Sequence, residues 1–184
     1  MTGPVVRDLA ALDGAVYAAV AATDTPTLDA GLRALSRAAD HSKINLSIAA
    51  ALALAPGRWR RAGLAGAASV AAASFTANLL GKHLVRRPRP DREAARVVVN
   101  RHVPMPTSAS FPSGHTASAF ALATAVGTLL PVTATPLTLL ACAVGYSRVH
   151  TGVHYPGDVL AGALLGTTCA GAVLATGRRW AAPG

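Results

Sequence analysis

Three short polar segments hold most of the side chains in this 184-residue chain that could make or break a bond. The first reads Lys82-His83-Leu84-Val85-Arg86-Arg87-Pro88-Arg89-Pro90. Its cationic groups suit a phosphate, because the planar arginine fork pairs two phosphate oxygens at once. A basic cluster beside an apolar run reads equally as a contact to anionic lipid headgroups or as a topology signal. The second, Phe111-Pro112-Ser113-Gly114-His115-Thr116, has the form of a helix start. Ser113 is a good N-cap. A helix N-terminus attracts an anion through its free N–H groups and its dipole, and Gly114 lets the backbone approach an oxyanion closely. His115 then stands one step inside the helix, beside whatever anion is held.

The third segment runs from Ser147-Arg148 through His150 and Gly152 to His154-Tyr155-Pro156-Gly157-Asp158. His150, His154 and Asp158 are spaced by four, which would gather metal ligands on a continuous helix. Gly152, Pro156 and Gly157 interrupt such a helix. A new helix starting near Pro156 instead puts Asp158 in its first turn, reaching back toward His154. A carboxylate on one imidazole nitrogen fixes the tautomer and leaves the other nitrogen free to attack. Arg148 and His154 also read as polar caps between two apolar helices.

The elements that must position these segments are apolar. Just over half of the residues are hydrophobic (52%) and only 14% are charged, against roughly 25% charged in soluble domains. Residues 62–81, 102–147 and 159–177 contain no Asp, Glu, Lys or Arg. This composition excludes a disordered tail, a coiled coil and a disulfide scaffold, and it argues against an ordinary soluble enzyme. Spans are expected at 44–55, 62–81, 113–130, 136–147 and 159–177, about five in all, given about 20 apolar residues for a full crossing. They are built from Ala, Gly, Ser and Thr, which let helix backbones pack closely and suit a dimer as well as a compact bundle. Cys142 and Cys169 lie in apolar runs and read as packing residues.

Residues 1–43 differ. Leu9, Leu12, Val16 and Val20 recur at helical spacing, and Thr25-Pro26 marks a second helix start. Leu28, Leu32, Leu35 and Ala39 follow, with Asp29, Arg33 and Arg37 on the opposite face. Two amphipathic interfacial helices are expected here, ahead of a membrane-embedded domain over 44–184. Asp8 and Asp13 argue against a signal peptide. The fold class is all-α, an integral membrane helical bundle.

Taken together, Lys82-x6-Arg89-Pro90, Pro112-Ser113-Gly114-His115 and Ser147-Arg148-x5-His154-x3-Asp158 resemble the three-part signature of the type 2 phosphatidic acid phosphatase superfamily. Every signature position is filled in order over residues 82–158. The resemblance implies that His154 takes the phosphoryl group as a phosphohistidine and that Asp158 orients it. His115 then protonates the leaving oxygen and later deprotonates water. Lys82, Arg89, Arg148, Ser113 and the Gly114 backbone would hold the other phosphoryl oxygens. Three cations and a helix N-terminus neutralise a transferring phosphoryl group by themselves, so no cofactor and no metal are expected.

All three segments fall on one membrane face, with 91–111 long enough to be a lid over them. The expected function is removal of a terminal phosphate from a lipid phosphate or diphosphate at the cell membrane, by a multi-pass protein whose catalytic face is extracytoplasmic. A vanadate-dependent haloperoxidase shares the phosphate-binding residues, but that group is larger and soluble. A non-enzymatic anionic-lipid-binding protein would not need His115, His154 and Asp158 together. The net charge of +9 lies between spans rather than on one soluble face, so no nucleic-acid partner is expected. His150, Arg86 and Arg87 stand outside the signature, the arginines as candidates for a second phosphate or the lipid surface.

Overall fold

The structure, a computed structural model, describes residues 3–181; the side chains at 80–83 and 178–181 lie outside the described residues. The described residues form α1 (Pro4–Ala22), α2 (Pro26–Ala38), α3 (Lys43–Leu54), α4 (Arg58–Leu84), α5 (Gly114–Leu129), α6 (Ala134–His150) and α7 (Pro156–Ala181), with no strand among them. Pro4 and Pro26 occupy first-turn positions of α1 and α2, where the missing N–H costs nothing. Between the expected spans 113–130 and 136–147 the chain makes a 3-10 turn, Pro131–Thr133. Pro136 lies in the first turn of α6, where its absent donor would have had no intrahelical acceptor.

The bundle is built around α5. Its residues Thr116 to Ala119, Ala121 to Ala123 and Ala125 to Gly127 are buried, enclosed by α4, α6 and α7. Small residues make that enclosure possible. A Cβ on Gly162 of α7 would come within 2.5 Å of the Ser113 carbonyl, and one on Gly166 would strike the Ala117 carbonyl. The α5 and α7 backbones therefore touch, as close helix packing in a bilayer requires. Large apolar side chains point the other way: Phe75, Leu160 and Leu164 are 68%, 66% and 72% exposed. A lipid solvent accepts such a surface. Two stretches, Arg58–Leu79 in α4 and Pro156–Gly177 in α7, are long and apolar enough to cross a membrane. At 16 residues, α5 measures about 24 Å, short of a hydrocarbon core about 30 Å thick.

Residues 3–43 pack onto the end of the bundle where α5 and α7 begin. Leu9, Leu12 and Val16 of α1 are exposed, whereas Tyr17 and Ala21 are buried. In α2 the expected polar face is partly an inner one. Asp29 is 8% exposed and Leu28 52% exposed, because Asp29 accepts from Arg101 Nε at 2.9 Å and lies 3.2 Å from His150 Nε2. Arg101, itself buried, also donates to the carbonyls of Val20 and Thr23. The 91–111 segment is thereby tied to the α1–α2 corner rather than hanging free over the site.

Candidate active site

The three segments meet at one end of the bundle. Gly152, at φ +70°, ends α6 in the left-handed conformation that glycine tolerates, and α7 begins four residues later. Ser113 caps α5 and its backbone N–H donates to the Asp158 carbonyl at 2.9 Å, so the second and third segments are joined main chain to main chain. Arg89 comes in from the first segment. Its Nη1 donates to the Val153 carbonyl at 2.7 Å and its Nε to the Ser108 carbonyl at 2.9 Å.

His154 lies at the centre and is 2% exposed. Its Nε2 is 3.3 Å from Arg89 Nη1. A guanidinium has donors only, so Nε2 is the acceptor and Nδ1 carries the proton. Nδ1 lies 3.5 Å from Asp158 Oδ2 and 3.5 Å from Ser110 Oγ. Burial pushes the imidazole down to about 4, beyond what the hydrogen bond to Asp158 restores; the Arg89 and Arg148 charges act in the same direction as burial. The result is a neutral imidazole with one nitrogen held and the other turned to a cation, the form a nucleophile needs.

Asp158 is held from three further directions. Ser110 Oγ donates to Oδ2 at 2.5 Å, the Tyr155 N–H to Oδ2 at 2.9 Å, and Arg87 Nη1 to Oδ1 at 2.9 Å. Arg87 also donates from Nη2 to Asp13 Oδ2 at 2.6 Å, and its guanidinium lies 4.1 Å from the Tyr155 ring centre. Asp13 in turn accepts from the Gly157 N–H at 2.7 Å. Arg87 thus ties α1 to the carboxylate behind His154.

His115 faces a different acid. Its Nε2 lies 2.9 Å from Oδ1 of Asp40, in the turn between α2 and α3, and Arg148 Nη1 is 3.6 Å from the same oxygen. Arg148, 1% exposed, also donates to Ser36 Oγ at 2.6 Å, and its Nε has no partner among the described residues. Gly114 keeps the approach to the α5 N-terminus open: among the described residues a Cβ there would meet only Ala77, at 3.9 Å. Lys82 belongs to the last turn of α4, but its side chain lies outside the described residues.

Between these groups lies a cavity of about 300 Å³, whose lining includes Arg89, Gly114, His115 and His154 together with Ser42, Ser74, Asn78 and Ser118. His150 is not part of it. Its Nε2 is engaged with Thr25 Oγ1 at 2.9 Å and with Asp29. His150, His154 and Asp158 do not converge, and no cluster of three or more His, Cys, Asp or Glu suited to a metal exists among the described residues.

Sequence reading missed Asp13, Ser36, Asp40 and Ser110, and placed Arg87 outside the signature. Ser110 lies two residues before a signature position and was within reach. The three from the N-terminal helices carried one signal only: acidic and hydroxyl residues set into an apolar segment.

Residues 62–181 match the model of the PAP2 superfamily, over half of the chain and spanning all three segments. The chain belongs to the PAP2 superfamily. A decaprenylphosphoryl-5-phosphoribose phosphatase of Mycobacterium tuberculosis is 40% identical over 152 residues, 80% of each protein. An undecaprenyl-diphosphatase of Sulfolobus acidocaldarius is 46% identical over 68 residues, 35% of this chain and 32% of that one. Among solved structures, a transmembrane PAP2 type phosphatidylglycerolphosphate phosphatase from Bacillus subtilis superposes with TM-score 0.72 over 94% of this chain and 87% of that one, at 24% identity. Aquifex aeolicus LpxE superposes with TM-score 0.70 over 89% of this chain and 94% of that one, at 26% identity. This PAP2 chain is accordingly an all-helical membrane protein and a phosphoric ester hydrolase, as its signature implied.

Proposed function

We propose that this PAP2 protein removes a terminal phosphate from an isoprenoid or other lipid phosphate by way of a phosphohistidine on His154. The observation that carries the reading is the split environment of His154: Nδ1 toward Asp158 and Ser110, Nε2 toward Arg89 and the cavity. Nε2 attacks phosphorus, the ester P–O bond breaks, and the leaving oxygen takes a proton from His115. Water then gives a proton back to His115 as its oxygen attacks phosphorus, the P–N bond breaks and inorganic phosphate departs. Lys82, Arg89, Arg148, Ser113 and the Gly114 N–H neutralise the equatorial oxygens. No metal ion is required by this scheme.

Several features support a lipid substrate. The site opens at the end of the bundle where α1 presents an exposed apolar face, as an interfacial helix would. The relatives' names are decaprenylphosphoryl-5-phosphoribose phosphatase and undecaprenyl-diphosphatase. The protein is read as multi-pass, with α4 and α7 spanning fully and the catalytic end outside the cytoplasm. The deciding experiment incubates purified protein with lipids labelled in the terminal phosphate and quenches in alkali, where phosphohistidine survives. A labelled protein band that is absent in His154→Ala is the expected result; phosphate release with undiminished rate in that variant overturns the mechanism.

A further inference from the structure

We infer that α1 couples contact with the bilayer surface to the placement of Asp158, with Asp13 as the positioning residue that carries the coupling. The inference rests on the phosphatase reading above and adds what holds the carboxylate behind His154 in place.

One face of α1 is bound to the turn that opens α7. Asp13, Tyr17 and Ala21 recur every four residues and share that face; Tyr17 and Ala21 are buried and Asp13 is half-buried. Asp13 Oδ1 accepts from the Gly157 N–H at 2.7 Å, and its Oδ2 accepts from Arg87 Nη2 at 2.6 Å. Arg87 gives its other nitrogen, Nη1, to Asp158 Oδ1 at 2.9 Å. The Tyr17 ring meets the Tyr155 ring edge-on, with centres 5.5 Å apart, and the Tyr155 N–H donates to Asp158 Oδ2. Gly157 makes room for the contact, since a Cβ there would come within 2.9 Å of Asp13 Oδ2. Both oxygens of Asp158 are thus held by groups that α1 itself holds.

A second face of α1 is turned away from the bundle. Val5, Leu9, Leu12 and Val16 follow at helical spacing and are exposed, an apolar stripe. Every residue from Pro4 to Leu12 is exposed, and a helical stretch that short is marginal in water by itself. Position identifies the cover. Gly157, Leu160 and Leu164 stand at i, i+3 and i+7 and share a face of α7. Asp13 is bonded to the first of them, and the other two are exposed. The stripe on α1 therefore continues the lipid-facing surface of a spanning helix into the interfacial zone, where a helix of this kind seats its apolar side. Asp8, Ala11 and Ala15 lie on a third side, left for water.

Seating the stripe fixes α1, and with it Asp13. An unseated α1 is free to shift, and the rigid Arg87 fork cannot serve two carboxylates that move apart. Asp158 then loses its alignment on His154 Nδ1, 3.5 Å away. A misplacement of about 1 Å in a catalytic arrangement costs roughly 10²-fold in rate. Asp13 touches no reacting atom; it acts through Arg87.

The test has a structural arm and a kinetic arm, both on the full chain in phosphatidylcholine–phosphatidylglycerol vesicles. Nitroxide labels are placed at Leu9→Cys or Ala11→Cys, with Cys142→Ala and Cys169→Ala. The label at 9 should collide with oxygen in preference to a water-soluble nickel chelate, and the label at 11 should do the reverse. Equal access of both labels to the chelate, or dipolar broadening between labels at 9 that marks a second copy on the stripe, overturns the inference. The kinetic arm uses a short-chain lipid phosphate that dissolves as monomers, so that delivery from the bilayer is not what is measured. Leu9→Ser combined with Leu12→Ser should lower kcat about tenfold, part of the roughly 10²-fold that misplacement costs, with KM little changed. Val132→Ser, an equally exposed apolar change at the opposite end of the bundle, should leave kcat as it was. Adding Asp13→Asn to the serine pair should cost no more than Asp13→Asn alone, because both act through one link. Independent, multiplying losses, or an unchanged kcat in the serine pair, overturn the coupling and leave the phosphatase reading intact. No release by the wild-type protein from this or any long-chain lipid phosphate overturns that reading and the coupling with it.

Discussion

Asp40 Oδ1 lies 2.9 Å from His115 Nε2 and 3.6 Å from Arg148 Nη1, so one carboxylate from the α2–α3 turn serves two residues of the family signature. This gives His115, the proposed general acid, a dyad of its own, separate from the His154–Asp158 pair. Asp40 holds the His115 ring in one orientation and balances the buried Arg148 charge. Neither role requires contact with substrate.

Asp40→Asn keeps the shape but weakens both interactions. Its kcat should fall by about tenfold or more, a fraction of the roughly 10²–10⁴ that a positioned acid–base group contributes. KM should change little, and Asp40→Glu, which keeps the carboxylate, should recover part of the rate. An unaltered kcat with a lowered thermal midpoint would assign Asp40 a purely structural part.

Arg87 bridges Asp158 and Asp13, and Asp158 is fully buried. Arg87→Met leaves that carboxylate without its cation, and breaking a buried pair in this way costs roughly 3–5 kcal/mol. The variant should unfold several degrees earlier in detergent and lose most of its activity. Arg87→Lys should recover part of both, since one ammonium cannot reproduce the fork that reaches two carboxylates. Equal behaviour of the two variants would count against the bridge.

How much of this was legible in the sequence differs between the bundle and the residues around it. The apolar runs located α3 to α7 to within a few residues, and the spacing of His154 and Asp158 across Pro156 anticipated a new helix with its acid in the first turn. Those are local features. Asp40 and His115 are 75 residues apart and Arg87 and Asp13 are 74 apart; nothing in hydrophobic periodicity reports such a pairing. Asp29 shows the same limit from the other side. Periodicity put it on the outer face of α2, but Arg101, far along the chain, makes the inner face the favourable one for a carboxylate.

The α5–α7 contact sets the distance between Ser113 and Asp158. Gly166→Ala places a methyl group into the Ala117 carbonyl, whereas the same change at Gly171 meets nothing within 4 Å. Overpacking of this kind costs about 1–3 kcal/mol. Gly166→Ala should lower the thermal midpoint and reduce kcat by opening the Ser113–Asp158 bond; Gly171→Ala should leave both unchanged. Thermal unfolding of the two variants side by side checks this.

His154 is held down near 4 by burial, against an ordinary value of 6.5. His154, the proposed nucleophile, therefore stays neutral through the whole range in which a free histidine would titrate. After correction for ionisation of the substrate phosphate, its limb in kcat/KM should appear near pH 4. The same depression makes stability pH-dependent. Between about 4 and 6.5 the unfolded chain binds a proton that the folded chain does not, so the contribution present above 6.5 is lost as the pH falls through the folded value. Unfolding curves at pH 7 and pH 5 should differ in that direction for the wild-type protein and much less for His154→Gln.

The proposed orientation is testable without touching the chemistry. Thr107 is exposed on the 91–111 segment, beside the mouth of the site. Arg58, Arg60 and Arg61 lie at the opposite end of α4, in a short connection without acidic residues, the pattern that marks a cytoplasmic side. Arg33, Arg37 and Lys43 lie at the catalytic end and weigh the other way, but Arg89 and Arg148 are engaged within the site and do not count toward topology. Thr107→Cys, in a background with Cys142→Ala and Cys169→Ala, should react with an impermeant maleimide in intact spheroplasts. Labelling only after lysis would place the catalytic end in the cytoplasm. The phosphohistidine chemistry would stand, and the lipid phosphate would have to be presented from the inner leaflet.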